Sequence, residues 1–180
     1  MVEREIKLEY PSLEAARAAI SALGLPSLRP RRLQDDALYD TPDGSLRARN
    51  CTLRLRRDGG TSVITFKGTP VPGVMKVRPE FETSTGDAGR THAIFEALGY
   101  RVAFRYQKYR EEFGDASCVV ALDETPVGTF VELEGEADRI TELAQALGFT
   151  PAQYLTSSYA GLHGERAAAL GLGPHMVFPS

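Results

Sequence analysis

Three Glu-x-Glu pairs stand along the sequence, Glu3/Glu5, Glu80/Glu82 and Glu132/Glu134. In an extended chain, residues two apart point the same way, so each pair puts two hard oxygen donors on one face. Such donors suit Mg²⁺ or Mn²⁺. Zinc would want clustered His and Cys, which this chain does not have. A second set, also at every other position, is basic: Lys7, Arg54, Arg56, Lys67, Lys76, Arg78, Lys108 and Arg110. Guanidinium forks bind phosphate oxygens bidentately and lysines add point charge, so this set suits a polyanion. A phosphate chain with a divalent metal satisfies both sets.

The elements that must position these residues read mainly as strands. The opening stretch to Tyr10 carries Glu3, Glu5 and Lys7 on one parity, with Ile6, Leu8 and Tyr10 on the other. Further strands are expected over 33–40, 51–57, 62–68, 74–83, 101–113, 116–123 and 129–135. Asp58-Gly59-Gly60 is a hairpin turn. Pro79 cannot donate to a ladder, which places that part of its strand at an edge or bulge. Helices are expected over 13–23, with Ser12 as N-cap and Gly24 as stop, and over 91–98, 138–147 and a tail of about 151–170. Residues 171–180 read as a frayed end.

Short strands joined by hairpins argue for an antiparallel sheet that closes or nearly closes. The ionic faces could simply meet water. Against that, the same alternation recurs in six strands, and the helices need apolar surface to cover. Helices outside a curved sheet would leave the ionic face lining a lumen, where desolvated charges must find partners. Glu112 and Asp123 share that face.

Composition bounds the rest. With 180 residues, 42% hydrophobic and 25% charged, the chain suits one soluble domain over 1–180. A net charge of −3 gives no general attraction to nucleic acid or anionic membrane. No apolar run approaches the ~20 residues of a membrane span, and no signal-peptide pattern opens the chain, so a cytoplasmic location is expected. Cys51 and Cys118 read as small buried residues, and His92, His163 and His175 as surface histidines. Arg29-Pro30-Arg31-Arg32 reads as a solvated loop.

Glu3-x-Glu5-x-Lys7 resembles the opening signature of the CYTH superfamily, the triphosphate tunnel metalloenzymes. The similarity continues through Tyr39-Asp40-Thr41, Leu53-Arg54-Leu55-Arg56, Phe66-Lys67-Gly68, Arg78-Pro79-Glu80-Phe81-Glu82, Lys108-Tyr109-Arg110, Leu122-Asp123 and the stretch from Gly128 to Gly135. Ser157-Ser158-Tyr159 resembles a late Ser-Tyr of cyclase-like members, although a helical tyrosine there could simply cover the tunnel wall. The resemblance implies an α+β fold: an eight-stranded antiparallel closed β-barrel, or tunnel, with a charged interior and helices outside. It implies that Lys7, Arg54, Arg56, Lys67, Lys108 and Arg110 hold a triphosphate, to which strand parity adds Arg78. Glu3, Glu5, Glu80, Glu82, Asp123, Glu132 and Glu134 would hold one or two Mg²⁺ or Mn²⁺ ions. Lys67, Lys108 and Tyr39 are the candidates for a catalytic role. The expected partner is a small triphosphate (ATP, tripolyphosphate or thiamine triphosphate), with no nucleic acid or membrane, in a monomer or homodimer. Hydrolysis needs only water as nucleophile and is expected first. Cyclisation of ATP by a class IV adenylyl cyclase is the alternative, and a non-catalytic polyphosphate or nucleotide binder the second.

Overall fold

The computed structural model describes residues 2–179. Its strands are β1 (Val2–Tyr10), β2 (Ser27–Asp40), β3 (Thr52–Asp58), β4 (Thr61–Lys67), β5 (Lys76–Thr85), β6 (Arg101–Gly114), β7 (Cys118–Thr125) and β8 (Gly128–Gly135). They close into an antiparallel barrel in the order β1-β5-β4-β3-β2-β6-β7-β8. The register fixes the ionic faces: Lys7 lies opposite Glu132, Arg110 opposite Asp123, Arg56 opposite Asp36, and Lys67 opposite Glu80. One residue of slip would turn every one of these side chains to the other face. Gly59 and Gly60, both at positive φ, make the two-residue turn between β3 and β4 that the sequence predicts.

The apolar faces of β1, β7 and β8 pack against α1 (Leu13–Ala22) and α4 (Ala137–Ala146). Ile6, Leu8, Val120, Leu122, Val131 and Leu133 meet Ala16, Ile20, Ile140 and Leu143 there. Ser12 caps α1 by accepting from the Ala15 N–H. A second cluster joins Tyr106 and Phe130, which share the strand parity of Lys108 and Glu132, to Tyr159 and Leu162 of α5 (Tyr159–Leu170) and to Met176. Through these contacts α5 packs against the barrel residues Tyr106 and Phe130.

Several expectations are corrected. β2 begins at Ser27, so Arg29 to Arg32 belong to a strand with register shifts against β6, held by ion pairs to Asp58, Glu112 and Glu124. Pro79 keeps the edge-like place expected of it. The β4–β5 ladder ends at Glu80 and the β1–β5 ladder starts at Pro79, so the missing N–H falls where pairing passes from one neighbour to the other. α3 (Ala88–Ala97) starts three residues early because the Asp87 side chain accepts from the Arg90 N–H. A short helix, α2 (Ser45–Ala48), was not expected; the Asp40 carboxylate receives the Leu46 and Arg47 N–H groups at 2.8 and 3.0 Å. The end of the chain is not frayed, since Met176 is buried and exchanges backbone hydrogen bonds with Arg105 and Gln107. His163 is likewise buried, with Nε2 3.0 Å from the Gly173 carbonyl oxygen. Cys118 is buried as expected, but Cys51 is only partly covered. Among the described residues, no helix is long and apolar enough to cross a membrane.

Candidate active site

A cavity of about 1980 Å³ opens through the barrel, lined by the ionic faces of the strands. It exceeds the ~300 to 1,000 Å³ of ordinary small-ligand sites, leaving room for a polyanion with hydrated ions. The structure brings Lys7, Arg54, Arg56, Lys67, Arg78, Lys108 and Arg110 to this wall together with Glu3, Glu5, Glu80, Glu82, Glu132 and Glu134. Asp123 is fully buried behind it.

The charges fall into three groups. In the first, Glu3, Glu80 and Glu134 converge, each with an oxygen within 4.8 Å of the others. Lys67 reaches Glu3 and, at 3.0 Å, Glu80, while Arg78 Nε donates to Glu3 at 2.8 Å. These cations do not cancel the crowding. Burial, then the Glu3 carboxylate and others nearby, push the Glu134 carboxyl up to about 7, and burial with Glu5 raises Glu3. Glu5 behaves differently: burial opposes its ionisation, but the Lys76 ammonium at 3.0 Å brings it to about 2. An acidic, oxygen-only trio short of positive charge fits a hard divalent cation.

In the second group Arg56 donates to Asp36 from Nε at 2.8 Å, and Arg54 lies 3.4 Å from the same carboxylate. Arg54 also donates to Thr65 Oγ1, which in turn donates to Glu82. Glu82 is half exposed at the rim, away from the carboxylate trio. Asp36 is fully buried and was missed by the sequence reading, because the adjacent acids Asp35 and Asp36 blur the alternation that marks the other strands.

The third group centres on Asp123. It accepts from Lys108 at 2.9 Å, from Arg110 Nε at 2.7 Å and Nη2 at 2.5 Å, and from the Tyr159 hydroxyl at 2.6 Å. Although burial works the other way, Arg110 and Lys108 hold the Asp123 carboxyl below its usual range. Glu132 is engaged by Lys7 at 3.0 Å and by Arg110, and is held well down by Lys108, Lys7 and Arg110 against the effect of burial. Burial, reinforced by Arg110, lowers Lys108 to about 8. Asp123 and Glu132 are thus matched by cations, whereas in the trio Lys67 and Arg78 face three converging carboxylates. Tyr159, which the sequence offers either as the late Ser-Tyr of cyclase-like members or as a wall-covering residue, reaches this network directly.

Tyr39 does not join these groups. Its hydroxyl lies 2.7 Å from His92 Nδ1, and its ring packs edge-on against Phe95 at 4.9 Å, both on α3. Its partner on β3 is Leu53, on the parity opposite to Arg54, so Tyr39 borders the cavity but stands apart from the three charged groups.

Known proteins share this architecture. A Methanocaldococcus jannaschii protein provisionally named an adenylate cyclase is 26% identical over 175 residues, covering 91% of this chain and 99% of its own. A Vibrio parahaemolyticus structure, also provisionally named an adenylate cyclase, superposes with a TM-score of 0.79 at 21% identity, covering 91% of this chain and 98% of the other. A Hippeastrum structure, described as an adenylyl cyclase candidate with a dominant triphosphatase activity, has a TM-score of 0.67 at 19% identity, with coverage of 95% and 97%. At these identities the two structures establish the shared fold. The CYTH domain matches residues 1–149, most of the chain, and this protein therefore belongs to the CYTH domain family.

Proposed function

We propose that the protein is a divalent-metal-dependent triphosphatase that binds its substrate inside the barrel and hydrolyses the terminal phosphoanhydride. The observation that carries this reading is the joint presence of a carboxylate trio, Glu3, Glu80 and Glu134, and a lysine- and arginine-rich wall in one cavity. A simple anion binder gains nothing from carboxylates facing its ligand. The trio would hold Mg²⁺ or Mn²⁺, which neutralises phosphate charge and lowers the pKa of bound water.

The chain's own residues supply positioning and charge. Arg54, Arg56 and Arg110 present guanidinium groups for non-bridging oxygens, and Lys7, Lys67 and Lys108 add ammonium charge where the leaving diphosphate accumulates it. In hydrolysis a water oxygen bonds to the γ-phosphorus as the bond to the β,γ-bridging oxygen breaks, giving orthophosphate and a diphosphate. Arg54 and Arg56 are braced by Asp36, and Arg110 by Asp123, which keeps these groups set before the substrate arrives.

A second reading, adenylyl cyclase, is favoured by the name of the relative from Methanocaldococcus jannaschii, whose whole length this chain matches. There a ribose 3′-hydroxyl attacks the α-phosphorus and pyrophosphate leaves. Hydrolysis is preferred because it needs no ribose or base pocket. The test is incubation with tripolyphosphate, ATP and thiamine triphosphate under Mg²⁺ and Mn²⁺. Release of orthophosphate from at least one supports the proposal. Binding without turnover of any of them would reduce the protein to a polyphosphate-binding module.

A further inference from the structure

The family match ends at residue 149, yet the segment beyond it reaches into the charged wall. The Leu155 N–H donates to the Lys7 carbonyl at 2.8 Å, and Lys7 Nζ donates to the Ser157 carbonyl at 3.2 Å. Tyr159, the first residue of α5, is 6% exposed. The Lys7 ammonium stands 4.5 Å and the Lys108 ammonium 4.9 Å from the centre of its ring. Neighbouring rings of Tyr106 and Phe130, at 5.8 and 5.7 Å, fix its orientation, and its hydroxyl is tied to Asp123.

One aromatic ring thus contacts two like charges that come from different strands, β1 and β6. Lys7 is already paired with Glu132 at 3.0 Å and Lys108 with Asp123 at 2.9 Å, and the ring adds a contact shared by both that offsets the repulsion between the two ammonium groups. The π-electrons of the ring attract both without offering an acceptor that competes with a ligand oxygen. An aliphatic side chain would fill the same volume but supply no such field.

We propose that Tyr159 is a positioning residue that holds Lys7 and Lys108 as a spaced pair for the phosphate chain, so that the segment after residue 149 completes the binding site. This rests on the triphosphate reading of the cavity. The hydroxyl bond to Asp123 anchors the ring, and the ring does the holding.

The test compares wild type, Tyr159→Phe and Tyr159→Leu by calorimetric binding of tripolyphosphate and by steady-state hydrolysis. Tyr159→Phe keeps the ring, and its Kd and KM are expected within about threefold of wild type. Tyr159→Leu is expected to raise Kd and KM roughly tenfold while kcat changes less than about threefold. Equal binding by wild type and Tyr159→Leu would overturn the proposal, as would equal impairment in both variants. Because Tyr159→Leu also loosens a packed cluster, a second measurement uses the wild type alone. Proton–carbon NMR of ¹³C-lysine-labelled protein is expected to show two lysine ε-methylene signals shifted upfield by the ring, both moving when tripolyphosphate is added. No ring-shifted lysine signals would overturn the proposal whatever the variants do. A wild type that shows these signals but neither binds nor hydrolyses tripolyphosphate would instead defeat the triphosphate reading.

Discussion

Lys108 and Glu134 are both pulled toward neutral pH, in opposite senses and with different consequences. Lys108 sits near 8 because burial and Arg110 disfavour its charge. Its proton is therefore lost as pH rises through about 8, and under the proposed function a bound phosphate chain would lose a contact. Metal-free tripolyphosphate affinity should fall above that pH, and Lys108→Arg should flatten the fall, as measured by calorimetry across pH 7 to 9.5. Glu134 sits near 7 because it is buried among carboxylates. A cation must displace its proton, so Mn²⁺ affinity should rise from pH 6 to 8 with proton uptake by the buffer. Glu134→Gln should weaken Mn²⁺ binding by about 10-fold or more and remove most of the pH dependence. Lys67 touches two members of the trio, and Lys67→Ala should lower kcat by ~10² to 10³ with the melting temperature little changed. The residues with regular alternation, from Glu3 to Lys7 and from Lys108 to Glu112, were readable in the sequence. Asp36 was hidden beside Asp35, and the tie of Tyr39 to His92 was not legible because a motif does not reveal which way its tyrosine turns.

Among the elements, β6 carries much of the arrangement. Its second half pairs with β7, while its first half takes the C-terminal segment, through Met176, on its edge. Met176 is fully buried beneath α5, so Met176→Ala should cost about 2 to 5 kcal/mol in denaturant unfolding. The far end of β6 turns at Gly114, with φ at +137°, where an added Cβ would stand 2.2 Å from the Cys118 carbonyl oxygen. Gly114→Ala should therefore destabilise the β6–β7 hairpin well beyond the ~1 kcal/mol of an ordinary helix or strand glycine exchange, measured the same way. Helices with side-chain caps and strands with clean alternation were legible. The start of β2 was not, because Pro30 and three arginines resemble a loop until Asp58, Glu112 and Glu124 are seen to pair with them. The C-terminal strap was not legible either, since backbone bonds to β6 leave no pattern in residues 171–179.

For the whole molecule, the wall alternates cations with carboxylates, so the cavity holds a mixed lattice of charge in a chain of net charge −3. A polyanion alone would meet carboxylates, and a metal alone would meet ammonium groups. A metal-bound triphosphate meets both with the matching sign. This mutual requirement explains why the barrel could be anticipated from strand periodicity, whereas the reaction could not. Hydrolysis and cyclisation use the same grip and differ only in which phosphorus faces the attacking oxygen. The most direct test is therefore ³¹P NMR of ATP turnover with Mn²⁺. The account predicts that the γ-phosphorus appears as orthophosphate alongside ADP. Cyclic AMP with pyrophosphate as the products would contradict it.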